Sequence, residues 1–362
     1  VSPSIPLIPD KGEQARMSAS PRILLLADAG PTVGGGHVMR SLTLARALQD
    51  EGAICLFLVT PAGKAVLDAF GGGISHIETY DISQAELVAC AAEIAQNHDA
   101  VVIDHYGLSA PDHRAISGGK PTLVIDDLAD RPLAADLVLD SGPARKATDY
   151  EGLIPPQAEL LLGPHHAPVR PAFGLLRKEA LARRATAPPA RRILVSLGLT
   201  DVGGVTGRVV DLMLPRVGDA TLDVVLGSGA PSLPALRALA AREPRLRLHV
   251  DSQDMPRLTL NADLAVGAGG SSSWERCVLA LPTLLLVLAD NQRAASQALA
   301  GADAVLALDV AAPDFETAFA ADLTRLLRDP SLRDRLSAAS ASVCDGRGAA
   351  RVAERFLGLV RG

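Results

Sequence analysis

Aromatic side chains are scarce in this chain. One tryptophan, three tyrosines and six phenylalanines make up 3% of its 362 residues. With no basic amphipathic stretch beside them, they argue against a membrane-facing surface. Cysteine is scarce as well. Cys55, Cys90, Cys277 and Cys344 are scattered and form no C-x-x-C pair. Zinc and redox motifs are therefore unsupported, and a reducing cytoplasm is the expected setting. There is no excess of basic residues. Thirty-five lysines and arginines face 41 acids, a net charge of −6, which leaves no electrostatic footprint for nucleic acid. No apolar run is long and charge-free enough to span a bilayer. Neither a short-period repeat nor a low-complexity tract is present. The opening "VSPSIPLIPDKGEQAR" lacks the apolar core of a signal peptide. Two readings of it stand: translation from an upstream start with Met17 as the true one, or a disordered arm. In both, residues 1–20 carry no chemistry.

What is present is enough for two domains. The chain is 48% hydrophobic, and its apolar runs alternate with helical patterns. Strands are expected at Arg22–Ala27, Cys55–Val59, Ala100–Ile103, Thr122–Ile125 and Leu137–Leu139. Helices are expected around 38–51, 63–70 and 84–97. A second series starts at "RILVSLG", with strands near Leu222–Leu226, Leu246–Val250, Asp263–Val266, Thr283–Leu288 and Ala304–Leu308. Such alternation is the signature of a parallel sheet covered by helices on both faces. The expected fold is α/β, with two Rossmann-like domains facing a cleft. The first spans 21–177 and the second 191–345. A charged, alanine-rich linker ending in Pro188–Pro189 covers 178–190, and a helix over 346–362 closes the chain.

Polar residues collect where strands end, which places them on one rim. The first strand leads into "GPTVGGGHVMR", Gly30 to Arg40. Glycines there bring backbone close to a ligand, and the helix that follows offers free N–H groups to an anion. His37 stands at that helix start, after Gly35 and Gly36. A dinucleotide loop with an incidental histidine is the alternative, but Met39 occupies the place where a last glycine could fall. In the second half, "VGAGGSSSWERC" repeats the arrangement. Gly269 and Gly270 lead to Ser271, Ser272 and Ser273, whose hydroxyls can cap a helix or donate to phosphate oxygens. Glu275 either complements the helix dipole or accepts from two ribose hydroxyls. Asn291 and Gln292 follow another strand, either as helix caps or as donors to sugar hydroxyls. Asp126–Asp127 superficially resembles an aspartate metal site, but paired carboxylates at a strand end also serve as rim solvation, and no metal is expected.

"GGGHVMRSLTLARAL", "VVIDHYGL", "IDDLADRP", "LLGPHHAPVRPAF", "ILVSLGLTD" and "VGAGGSSSWERCVLALPTLLLVLADNQ" occur in that order. Together, from about Arg22 to Gln297, they resemble the UDP-2,4-diacetamido-2,4,6-trideoxy-β-L-altropyranose hydrolases of pseudaminic acid biosynthesis. The resemblance implies a GT-B-type fold, a relative of the peptidoglycan N-acetylglucosaminyltransferase that passes its sugar to water. It implies UDP release by C–O cleavage with inversion, with no metal or other cofactor. His37 then matches the catalytic histidine. Arg170 and Glu275 match substrate-binding positions. Gly35, Gly36, Arg40, Asp104, His105, Gly269, Gly270, Ser271, Ser272, Asn291 and Gln292 complete the expected substrate site, with Asp104 and His105 orienting His37 or a hydroxyl. The expected partner is the UDP-sugar alone, with no nucleic acid or membrane, and the chain is expected as a cytoplasmic monomer. Kinship alone points the product toward flagellin or surface glycans. The chain departs from the family pattern at His166, Ala172 and Leu199, where the family has tyrosine, glutamate and glycine. A GT-B glycosyltransferase with an alcohol acceptor, and a nucleotide-sugar binding protein without turnover, are the rival readings.

Overall fold

The computed structural model describes residues 20–30, 34–79, 83–186 and 188–362. All but Ser20 of the expected disordered extension lies outside them. Strands β1 (Arg22–Ala27), β2 (Ile54–Val59), β3 (Ser75–Glu78), β4 (Ala100–Asp104), β5 (Thr122–Ile125), β6 (Leu137–Asp140) and β7 (Glu159–Leu162) form one sheet. Its order is β3-β2-β1-β4-β5-β6-β7, and every pairing is parallel. Ile23 to Leu26 are at most 1% exposed, which is why β1 reads as a continuous apolar run. The second sheet holds β8 (Arg192–Ser196), β9 (Thr221–Leu226), β10 (Leu246–Val250), β11 (Leu264–Ala268), β12 (Thr283–Val287) and β13 (Leu306–Asp309). Its order, β10-β9-β8-β11-β12-β13, is again parallel throughout.

Each sheet winds outward in both directions from one central pair, β1/β4 and β8/β11. A crevice opens at the carboxyl ends of such a pair, because the connecting chains leave in opposite directions. The register seats Ala27 beside Asp104, so the glycine turn after β1 and the polar end of β4 emerge together. In the second sheet Gly267 lies opposite Ser196. Among the described residues, no helix is long and apolar enough to cross a membrane.

Two segments cross between the domains. The helix Pro171–Arg184 takes in residues 178–184, so the first part of the expected linker is helical. Its charges serve carbonyl groups. Arg177 donates to the carbonyls of Val278, Cys344 and Ala341, and Arg184 to those of Ala262, Thr259 and Leu260. Several of these carbonyls belong to helix ends, which lack intrahelical donors. Phe173 and Ala180 join a core cluster with Leu260, Trp274 and Val278, so this helix packs with the second domain. The last helix, Gly348–Arg361, crosses back. Val352, Ala353, Phe356 and Leu357 pack with Leu44 and Leu48 in the first core. The crossings touch each other: a Cβ on Gly348 would stand 2.2 Å from the Ala167 carbonyl oxygen, and one on Gly346 would stand 3.3 Å from Gly174 Cα.

Candidate active site

Gly30 and Gly34 pair across the turn after β1, with the Gly34 N–H 2.7 Å from the Gly30 carbonyl. Gly34 has φ +75°, a left-handed conformation that disfavours other residues. Gly35 precedes the helix Gly36–Asp50, and a Cβ on Gly35 would press on Val66 at 3.1 Å. A Cβ on Gly36 would meet nothing within 4 Å. His37 therefore occupies the first turn of the helix, 4% exposed.

Beneath His37 lies Asp104, the last residue of β4 and fully buried. His37 Nδ1 is 2.6 Å from Asp104 Oδ1. Arg40, one helical turn on, donates Nε to Asp104 Oδ2 at 2.7 Å and Nη2 to Oδ1 at 2.6 Å. Ser41 donates its hydroxyl to Oδ2 at 3.1 Å. Arg40 Nη1 also reaches Asp127 Oδ2 at 2.9 Å, and Tyr106 donates its hydroxyl to Asp127 Oδ1 at 2.6 Å. The Tyr106 ring meets the His37 ring edge-on, with centroids 4.4 Å apart.

Burial works against ionisation of Asp104, but Arg40 and then His37 override it and hold the carboxyl below the usual carboxylate range. Asp127 is lowered too, with burial outweighed by Arg40 and the Tyr106 hydrogen bond. Burial and then Asp127 push the Tyr106 hydroxyl above its ordinary value, so it stays a donor. Burial lowers His105; its Nδ1 accepts from Gly107 N–H at 3.0 Å, and its Nε2 is 4.0 Å from Asp28. With an ionised carboxylate on Nδ1, the imidazole carries its proton there and its lone pair on Nε2. One guanidinium against two carboxylates leaves the cluster of Arg40, Asp104 and Asp127 one positive charge short.

The second turn is built differently. Gly267 ends against the Arg276 guanidinium, and Gly269 against Ser296 and Gln292. Gly270 is open, with no atom within 4 Å of a Cβ there. Ser271 and Ser272 are half-buried. The helix Ser272–Val278 has no side-chain cap, so of the two roles open to the serines capping is not the one taken up. Ser273 instead donates to the Ala268 carbonyl at 3.3 Å, and Arg276 donates to both Ser272 and Ser273 at 3.0 Å. Glu275 Oε1 accepts from Arg170 Nε at 2.8 Å, an ion pair between the first crossing and the second domain.

The rims of the two sheets face each other. Asn291 does not cap a helix; its Nδ2 reaches Tyr106 Oη across the cleft at 3.3 Å. Gln292 closes its own turn, accepting from Leu288 N–H at 3.0 Å. Leu199 packs on the first core.

Two expected contacts need correction. Asp104 does not face the opening, because all its accessible surface is gone and His37, Arg40 and Ser41 occupy its oxygens. Arg40 likewise stands behind His37, its guanidinium shared between Asp104 and Asp127. Asp126 is not rim solvation either. It is 1% exposed and accepts from Arg131, Tyr150 and Ala129 N–H. Sequence reasoning missed Tyr106, Asp127 and Arg276 as parts of the site. Tyr106 sits inside the quoted "DHYG", but its partner Asn291 lies 185 residues away.

No family model matches the chain. Its sequence is similar to the UDP-2,4-diacetamido-2,4,6-trideoxy-beta-L-altropyranose hydrolase of Campylobacter jejuni, 25% identical over 281 residues, or 77% of this chain and 96% of that protein. It is also similar to the spore coat polysaccharide biosynthesis protein SpsG of Bacillus subtilis, 25% identical over 91% of this chain and 95% of that one. Among solved structures, Acinetobacter baumannii MurG covers 93% of this chain and 99% of its own, with a TM-score of 0.65 at 17% identity. The spinosyn rhamnosyltransferase SpnG in complex with thymidine diphosphate gives a TM-score of 0.59 at 18% identity, with 93% and 100% covered. These likenesses and the two wound sheets place the chain in the GT-B-type fold, with sequence kinship to the UDP-diacetamido-trideoxy-altropyranose hydrolases.

Proposed function

We propose that this chain hydrolyses a UDP-linked diacetamido-trideoxy sugar, as the name of its Campylobacter relative suggests. The observation that carries the reading is the buried Asp104 under His37 at the mouth of the glycine turn. His37 Nε2 accepts a proton from water as the water oxygen attacks the anomeric carbon. The bond from that carbon to the phosphate oxygen breaks, and UDP leaves with that oxygen. The sugar is released with inverted configuration. Positive charge that develops on the ring is met by Asp104, already ionised and fixed, so little reorganisation accompanies the step. Arg40 and Ser41 hold Asp104, and Tyr106 braces the ring; these are positioning residues. In the second domain Glu275 holds the ribose, and the turn Gly269–Ser272 receives the diphosphate. Asn291 stands at the sugar across the cleft. The product would feed pseudaminic acid synthesis.

The experiment is direct. Purified protein is incubated with UDP-2,4-diacetamido-2,4,6-trideoxy-altrose and with other UDP-sugars, in water alone, and UDP release is followed. Release without an added alcohol supports hydrolysis. Release only when an acceptor is supplied points to the glycosyltransferase reading, which the 28% identity to a Symbiobacterium thermophilum N-acetylglucosamine transferase favours. Binding with no release leaves a binding protein.

A further inference from the structure

Arg276 is a buried cation with no carboxylate of its own. Arg40, Arg131, Arg145, Arg170 and Arg192 each pair with an aspartate or glutamate, whereas buried Arg184 and Arg333 end on backbone carbonyls alone; Arg276 differs from both groups by ending on two side-chain hydroxyls at the turn. Arg276 is 4% exposed and donates only to neutral oxygens: the Ala268 carbonyl at 2.7 Å and the Ser272 and Ser273 hydroxyls at 3.0 Å. Its Nε is buried without a partner. The neighbouring carboxylate, Glu275, is held by Arg170. Burial brings the guanidinium down to about 10, so it stays charged at neutral pH. Space is kept for it, since a Cβ on Gly267 would come within 2.6 Å of its Cζ and Nη1. An unpaired buried charge destabilises a fold unless something offsets it.

We infer that Arg276 is the standing counter-charge for an anionic ligand at the Gly269–Ser272 turn, and that it acts through Ser272. The inference rests on the nucleotide-sugar reading, and the ligand group is the diphosphate. Ser272 accepts from Arg276, so its own hydrogen points away from the guanidinium and is free to donate. It is half-buried and borders the open Gly270. Ser273 also accepts from Arg276, but it donates back to the Ala268 carbonyl and is buried. Ser272 is thereby polarised as a one-way donor toward an anion. The helix that follows has only seven residues, so a full charge beneath the turn outweighs its short dipole. Arg276 is a positioning residue that does not itself touch phosphate.

The test compares UDP with uridine, by calorimetry and by competition, in wild type, Arg276→Met, Ser272→Ala and the double variant. Wild type is expected to prefer UDP. Each single variant is expected to lose roughly tenfold in UDP affinity, the scale of one charge-assisted hydrogen bond, with uridine within about twofold of wild type. The double variant is expected to be no weaker than the weaker single variant, because both changes cut one route. A UDP-to-uridine preference unchanged in Ser272→Ala overturns the inference, and that half-buried substitution decides even if Arg276→Met does not fold. Multiplicative losses in the double variant overturn the route through Ser272. If wild type binds neither compound, the nucleotide reading itself falls and takes this inference with it.

Discussion

The two glycine turns share a scaffold and differ in what lies beneath. Each follows a central strand of a wound sheet, each opens with glycines, and each leads into a helix. Under the first is a buried carboxylate, Asp104, and under the second a buried guanidinium, Arg276. Glycine provides access at both turns; the buried charge decides what the access is for. An anion below a histidine fixes the ring with its far nitrogen turned outward. A cation below serines favours a ligand that already carries negative charge. One architecture used twice thus sets opposite buried charges beneath two glycine turns, which the function proposed above uses as two sites of opposite electrical sense.

The largest expected effect removes the group that the first turn presents. His37→Asn keeps a similar shape and hydrogen-bonding ability but cannot take a proton near neutral pH. Its kcat for UDP release should fall about 10²–10⁴-fold with the fold and substrate affinity retained. Turnover within a few-fold of wild type would remove His37 as the base. Asp104→Asn should follow, because it leaves Arg40 partly uncompensated in a buried place. About 10²-fold loss of kcat is expected, together with a lower melting temperature; a normal rate in a folded variant would show that the buried charge is idle.

Acid sharpens the contrast through the first domain. His113 is fully buried, accepts from Ala134 N–H at 3.3 Å, and is brought down to about 4 by burial. The unfolded chain binds a proton there near pH 6.5 and the folded chain only near pH 4. The contribution is therefore complete above about pH 6.5 and is lost as pH falls through that window, on the order of 2–3 kcal/mol. Denaturant titrations of wild type and His113→Gln from pH 7 to 4 should diverge accordingly; parallel curves would assign the acid loss elsewhere.

At the second turn Glu275→Ala should weaken UDP binding by about 1–3 kcal/mol, the range for a charged hydrogen bond, and raise KM more than it lowers kcat. Unchanged calorimetric affinity would return Glu275 to pairing with Arg170 alone. The smallest expected effect is none: chelator should leave the rate unchanged, because Asp127 is occupied by Arg40 and Tyr106, and Asp126 by Arg131 and Tyr150. Activity lost in EDTA and restored by magnesium or manganese would reopen both carboxylates as ligands.

The central strands were legible because burial on both faces writes them as unbroken apolar runs. The edge strands were not: β3, Ser75–Glu78, alternates exposed and half-buried residues over four positions, and β7, Glu159–Leu162, has a leucine run of only three, mostly half-buried. Helix Pro171–Arg184 was hidden by its own arginines. Charges on a helix are ordinarily solvated, and here Arg177 and Arg184 turn inward to carbonyl groups of the second domain. At the site, the glycines and His37 stood out because they are adjacent in sequence. Tyr106 with Asn291 and Arg276 with Gly267 depend on approaches that only the folded chain makes.

The two crossings touch where Gly348 meets Ala167 and Gly346 meets Gly174. Two crossing segments pinned side by side make the spine of a book: a hinge between the covers would lie along that line, and the pinning opposes sliding of one cover past the other. The last helix is glued to the far cover by Arg355 on Glu159 and Arg361 on the Glu51 carbonyl. A nick in either crossing therefore leaves the halves bound by the other while freeing them to twist. The facing of His37 and the Ser272 turn is a property of that double spine as much as of either domain.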